Sequence, residues 1–264
     1  MKMNFEKINW DGINVFESFR LYDGTIFRFD QHLKRLRESA KSCGVEIPSD
    51  SEIKEKVFEK VAADKIRDGF LRIDFRNSEM HILTRKKTTA ANKTGIDLKT
   101  ASFRMPSPKE TISQAKSGNY RLQLLETVSG PKGEMLFLDE SHFIAESRVG
   151  NFFMVKNGQI LTPPARSVLN GITREVVIEC ARESGFLVRE TPLSRHEAFN
   201  ADEAFLTNTA WEILPVRSLD GRNLPDKIPG PVTQKLIKCF HRKVETACSE
   251  KSAARLSPSR TKKV

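Results

Sequence analysis

The chain has 264 residues, 38% of them apolar, and a formal net charge of +10, a composition that suits a globular protein with one large core or two compact ones. No apolar run approaches the roughly 18 residues needed to span a bilayer, and the first seven residues lack the apolar stretch of a signal peptide, so a cytoplasmic protein is expected. Cys43, Cys180, Cys239 and Cys248 stand far apart with no CxxC pair, so neither a metal site nor a disulfide framework is expected.

Residues 15–22 read as a strand, Asp23-Gly24 as a hairpin turn and 25–29 as the return strand. His32, Leu33, Leu36, Ala40 and Cys43 then recur at helical spacing, and Gly44 stops them. Residues 51–63 form a second amphipathic pattern, with Ser51 as the expected N-cap and Glu52 in the first turn. Strands are expected at 69–76, 79–84 and 96–103. Met105-Pro106-Ser107-Pro108 has linker composition and marks the expected domain boundary.

The second half opens with a short helix at 120–128, followed by strands at 134–138, 142–145 and 151–155. Asn157-Gly158 turns the last of these back into 159–162. A helix over 173–184 follows Asn170-Gly171 and ends at Gly185. Residues 201–206 and 213–216 read as buried strands, and 231–244 as a last helix with Pro231 in its first turn. The expected class is α+β, with a small α/β domain over 1–107 and a large domain over 108–246. A basic, disordered tail is expected over 247–264. Seven Lys or Arg against two Glu after residue 240 give this end +5, and a solvated tail is the plain reading.

Helix starts bind anions, because unpaired backbone N–H groups and the helix dipole point there. Asn170-Gly171-Ile172-Thr173 has that form, although the same residues also suit an ordinary cap. Thr207-Asn208-Thr209-Ala210 is a second small polar turn after a buried strand. Arg35 lies among core-facing leucines and is either a surface group or a buried anion clamp.

Together these segments resemble a family. The run VFESFRLYDGTIFRFDQHLKRLRESAKSCGV resembles the N-terminal signature of class IV pyridoxal-phosphate (PLP) enzymes. That family includes branched-chain aminotransferases, D-amino acid aminotransferases and aminodeoxychorismate lyases. AKSGNY is similar to the segment carrying its Schiff-base lysine, and FIAESRVGNFFMVKNGQILTPP to its Glu-bearing hairpin. VLNGITREVVIECARESG and ADEAFLTNTAWEILPVRSLDG resemble its two phosphate-binding segments, and the order along the chain is the same.

The resemblance implies a two-domain, D-amino acid aminotransferase-like PLP fold with a truncated N-terminus. It implies that Lys116 holds PLP covalently and later shuttles the substrate proton. Glu146 would face the pyridine nitrogen, and Tyr120 would lie near the ring oxygen. Arg35, the Ile172 backbone and the Thr173 and Thr209 hydroxyls would hold the phosphate. Arg72 and Ala210 would lie on the substrate side. The family pattern departs at Ser147-Arg148, where a glycine usually follows the glutamate.

The implied activity is amino transfer between a branched-chain or similar amino acid and a 2-oxo acid such as 2-oxoglutarate. The implied partner is a second copy of the chain, with no membrane or nucleic acid. Two alternatives stand beside it: aminodeoxychorismate lyase activity, and a non-catalytic binding protein on the same fold. Retention of the lysine, glutamate and arginine argues against the second.

Overall fold

The computed structural model describes residues 14–76, 79–87, 94–105, 115–118, 134–224 and 227–256. Strands β1 (Val15–Tyr22) and β2 (Thr25–Ile26) form the expected hairpin. Asp23 and Gly24 both take positive φ, the turn whose twist matches the strands it joins. The return strand is shorter than its composition suggests. Arg28 turns left-handed and helix α1 (Phe29–Cys43) starts at once, closed by Gly44 at φ 65°.

Helix α2 (Asp50–Ala63) is capped by Ser49 rather than Ser51. Glu52 N donates to Ser49 Oγ (3.3 Å) and Ser49 N donates to Glu52 Oε2 (2.8 Å). That reciprocal pair needs the serine three residues before the glutamate, where Ser49 stands and Ser51 does not. Strands β3 (Gly69–Arg76) and β4 (Glu79–Lys86) complete an antiparallel sheet ordered β2-β1-β3-β4. Alternate residues of β1 point to opposite faces. Val15, Phe19 and Leu21 pack with Leu33 and Leu36 of α1 in one apolar cluster.

The second sheet contains β5 (Ile96–Met105), β6 (Glu134–Asp139), β7 (Ile144–Ser147), β8 (Asn151–Lys156) and β9 (Gln159–Thr162). It also takes β10 (Val188–Glu190), β11 (Glu203–Asn208), β12 (Glu212–Leu219) and β13 (Arg222–Asn223). Its order is β10-β9-β8-β11-β12-β5-β6-β7, and β7 pairs back onto β8. Six strands therefore close into a ring. Each contributes to a shared cluster: Leu98, Leu136, Ile144, Phe152, Leu206 and Leu214. The inside of the ring is thus a packed core.

The outer face of the ring carries helices α3 (Ile172–Glu183) and α5 (Pro231–Leu256), with the short α4 (Arg195–Phe199) elsewhere on the sheet's connections. Phe153 and Phe205 stack at 5.0 Å beneath α3 and α5.

Two boundaries differ from the sequence reading. Strand β5 was expected on the small-domain side of residue 107, but it runs parallel to both β6 and β12 in the second sheet. The chain therefore changes sheets between Lys86 and Ile96. Helix α5 continues to Leu256, through a segment expected to be disordered from 247. Ala, Ser, Glu, Lys and Arg sustain a helix once a packed turn has nucleated it, and no Gly or Pro intervenes before Pro258. Residues 257–264 lie outside the described residues, as does the helix expected at 120–128. Among the described residues, no helix is long and apolar enough to cross a membrane.

Candidate active site

A cavity of about 730 Å³ opens between the two sheets. Its small-sheet wall carries Phe16, Ser18 and Arg72, and its ring wall carries Glu146, Gly150 and Asn151. Lys116 lines it between them. The segment 115–118 is tied to the start of β1: Phe16 N donates to Lys116 O (3.0 Å), and Gly118 N to Asn14 O (2.8 Å). Lys116 N donates in turn to Ser39 Oγ on α1 (3.0 Å). The backbone of the lysine is therefore fixed by two elements while its amine faces the cavity. Burial first, then the charge of Arg35, push that amine down to about 8.

Beneath Lys116 lies Glu17, fully buried on the core face of β1. Arg35 on α1 grips it with Nε to Oε2 (2.9 Å) and Nη2 to Oε1 (2.7 Å). His32 Nδ1 lies 3.1 Å from Oε1. Burial alone would raise this carboxyl, but the Arg35 charge, aided by the adjoining His32, outweighs it and holds it well below the usual range. Burial pushes the His32 imidazole down. Nη1 of Arg35 donates to the Asn170 carbonyl (3.0 Å), at the threshold of α3. The arginine's planar fork is thus oriented by Glu17, which aims its charge at that helix start.

Glu146 on β7 sits across the cavity, buried to 5% exposure. Its Oε2 accepts from Asn151 Nδ2 (3.2 Å) and Leu169 N (3.3 Å), and Asn151 Nδ2 also donates to Leu169 O (2.8 Å). Among the described residues Oε1 takes no hydrogen bond. Burial pushes this carboxyl up to about 7, against the Leu169 N–H and the Lys116 charge.

Helix α3 begins nearby at Gly171, and its cap differs from those of α2 and α4. Ser49 and Ser194 close those helices with capping boxes, whereas Gly171 provides no side-chain cap. Among the described residues no side chain caps the first N–H groups of α3, which suits that end to an anion. A Cβ on Gly171 would come within 2.2 Å of Asn151 Oδ1. Gly171→Ala is therefore expected to displace Asn151 and, with it, Glu146. The overpacking is expected to cost about 1–3 kcal/mol of stability and to weaken anion binding, measured by phosphate titration. Unchanged affinity would mean that Asn151 can step aside.

The turn after β11 completes this end of the cavity. Thr207, Thr209, Ala210 and Trp211 line it. Asn208 Oδ1 accepts from Ala210 N (2.9 Å) and Trp211 N (2.6 Å), and Asn208 Nδ2 donates to Val149 O (3.1 Å). Asn208 thereby joins this turn to the loop that follows Glu146.

On the opposite wall, Arg72 stacks on Phe16 at 3.8 Å and forks onto Asp74 at 2.7 and 2.6 Å. The sequence-predicted residues Arg35, Arg72, Lys116, Glu146, Ile172, Thr173, Thr209 and Ala210 all line the one cavity. Tyr120 lies outside the described residues. Glu17, Ser39, Asn151 and Asn208 were not anticipated.

A weakly basic lysine facing an anion cradle suits an enzyme that holds a phosphorylated carbonyl compound and does chemistry on it. Residues 14–219 match the model of the amino-transferase class IV family, and the chain belongs to that family, whose enzymes depend on PLP.

A putative branched-chain-amino-acid aminotransferase of Methanocaldococcus jannaschii is 36% identical, over 87% of this chain and 86% of that protein. The structure of the branched-chain aminotransferase of Thermoproteus uzoniensis with norvaline is similar, with a TM-score of 0.82 at 28% identity. It covers 94% of each chain. The T.th. branched-chain amino acid aminotransferase with pyridoxamine 5'-phosphate superposes with a TM-score of 0.80 at 26% identity. That match spans 94% of this chain and 92% of the other.

Proposed function

We propose that this enzyme moves the amino group of a branched-chain or similar apolar amino acid to a 2-oxo acid such as 2-oxoglutarate, with PLP as cofactor. The observation that carries the reading is the convergence of Lys116, Glu146 and the uncapped start of α3 on one cavity. The residues fit the group. Gly171 leaves backbone N–H donors open for a phosphate, Arg35 brings charge to the same place, and Thr173 and Thr209 add hydroxyls. Apolar Phe16, Leu83, Val149 and Trp211 line the rest and suit an aliphatic side chain.

When bound, PLP supplies an electron sink for the charge left at the substrate's α-carbon. Lys116 Nζ would hold the cofactor and carry the proton at that carbon. Its lowered basicity keeps part of it uncharged near neutral pH, as a proton acceptor must be. Glu146 would face the ring nitrogen with its carboxylate and keep that nitrogen protonated. Arg72 and Ala210 lie on the substrate side. Homodimer assembly and a cytoplasmic location belong to the same reading, and light scattering after size-exclusion chromatography tests the first.

A substrate panel tests the activity. Turnover of leucine, isoleucine or valine that depends on 2-oxoglutarate supports transfer. Pyruvate release from aminodeoxychorismate without a 2-oxo acid would favour the lyase instead.

Glu146 makes a second test possible, because its buried carboxyl is destabilising without a cationic partner. A carboxyl raised from 4.5 to about 7 opposes folding increasingly as pH rises between those values, and the cost is constant above. Glu146→Gln removes it. The cofactor-free variant is expected to be more stable than wild type at pH 8, by roughly 3 kcal/mol at most. The gap should close toward pH 4.5, while turnover falls by about 10²-fold or more. Equal melting curves at both pH values would contradict the assigned environment of Glu146.

A further inference from the structure

Glu212, the first residue of β12, has φ +62°. It directly follows the cavity-lining turn Thr209-Ala210-Trp211. Glycine or asparagine usually occupies a left-handed position in such a hairpin, because Cβ crowds the carbonyl there and only glycine lacks it, while asparagine offsets it by local hydrogen bonds. A glutamate there must be held by its surroundings, and strain of this kind gathers at functional sites.

Two elements hold it. Tyr22 Oη, at the end of β1, donates to Glu212 Oε1 (2.8 Å), and His241 Nε2 on α5 lies 3.0 Å from Oε2. Glu212 is only 14% exposed between them. Tyr22 also backs the anion cradle. A void of about 10 Å³, enough for one water, is lined by Tyr22, Ile172, Thr173 and Thr209. One glutamate therefore links the small sheet, the last helix and the turn that presents Thr209.

We propose that Glu212 is a positioning residue: pinned by Tyr22 and His241, it fixes the Thr209–Trp211 turn against the start of α3, so that Thr209 meets the phosphate of the cofactor. The proposal rests on the cofactor reading above. Glu212 does not line the cavity, and it acts through the turn. Tyr22 makes the contact part of the closure between the two sheets, since β1 also carries Glu17 and Phe16.

The test compares wild type with Glu212→Gly and Tyr22→Phe, after removal of cofactor by dialysis. Calorimetry gives the Kd for pyridoxamine 5'-phosphate and for pyridoxamine, and a thermal melt gives the Tm. Glycine removes the pin and the strain together, so its Tm is expected to stay close to wild type. Both variants are expected to bind pyridoxamine 5'-phosphate about tenfold more weakly, with pyridoxamine affinity unchanged, because only the phosphate reaches the displaced turn. Glu212→Gln keeps an acceptor for Tyr22 and is expected to restore most of the affinity.

If the glycine variant melts early, Tyr22→Phe decides, since it leaves the backbone untouched. Equal loss for both ligands, or no loss in either variant, overturns the role of Glu212. Wild type that binds pyridoxamine 5'-phosphate no better than pyridoxamine overturns the phosphate-site reading instead.

Discussion

Lys116→Ala is expected to lower turnover by about four orders of magnitude while leaving the fold intact. On the proposed reading the lysine serves twice, as covalent anchor and as proton carrier, and no other described lysine lines the cavity. Among the described residues its side chain makes few structural contacts: the Phe16 ring centroid lies 5.1 Å from Nζ, and the bonds that fix the segment come from its backbone. Alanine keeps those bonds, so the melting temperature should change little. Affinity for pyridoxamine 5'-phosphate, which needs no lysine bond, should stay within a few-fold of wild type.

A pH profile separates this from general damage. The wild-type amine sits at about 8. Uptake of PLP by stripped enzyme should therefore accelerate as pH rises toward that value, and then level off. The variant should show no such limb. A variant that retains turnover above a hundredth of wild type would mean that another group carries the proton.

The ordered motifs made most of this site legible in the sequence, and strand parity could have supplied more. In the run Val15-Phe16-Glu17-Ser18-Phe19, Glu17 falls on the same face as Val15 and Phe19, which are core residues. A charge at a core position implies a buried partner. Arg35, one residue before the core residue Leu36 on the next helix, was the available one.

Asn151 and Asn208 gave no comparable signal. Their roles come from bonds to Leu169 and Val149, and these depend on how the β8 and β11 ends meet. The misplaced boundary has a related cause. Met105-Pro106-Ser107-Pro108 is locally a linker, but the sheet to which β5 belongs is decided by Val216–Leu219, some 120 residues later. Local composition cannot report a parallel pairing of that range. The Ser49 cap, by contrast, was readable from spacing alone.

Glu17→Gln is expected to be the most destabilising single change in the site. Arg35 and Glu17 are both nearly out of solvent, at 7% and 0% exposure. An amide can accept one of the two guanidinium bonds, but it turns a donor toward the other. Breaking a buried pair from one side costs about 3–5 kcal/mol, which in a chain of this size lowers Tm on the order of 10 °C.

The acid dependence gives the signature. The folded carboxyl lies below its unfolded value, so its stabilisation is complete above the ordinary carboxylate range and is lost as pH falls below it. The gap between wild type and variant should thus be widest near pH 7 and narrow by pH 3. A gap that is constant across this range would mean that Glu17 acts by shape and not by charge.

A double substitution, Glu17→Leu with Arg35→Met, then asks why the pair is there. Well-packed apolar residues often replace a buried ion pair without loss of stability, so the double variant is expected to recover much of the lost Tm. It is not expected to recover affinity for pyridoxamine 5'-phosphate, because the charge beside Asn170 is gone. Recovery of both would make the pair a packing device and would leave the uncapped α3 start to hold the phosphate by its backbone alone.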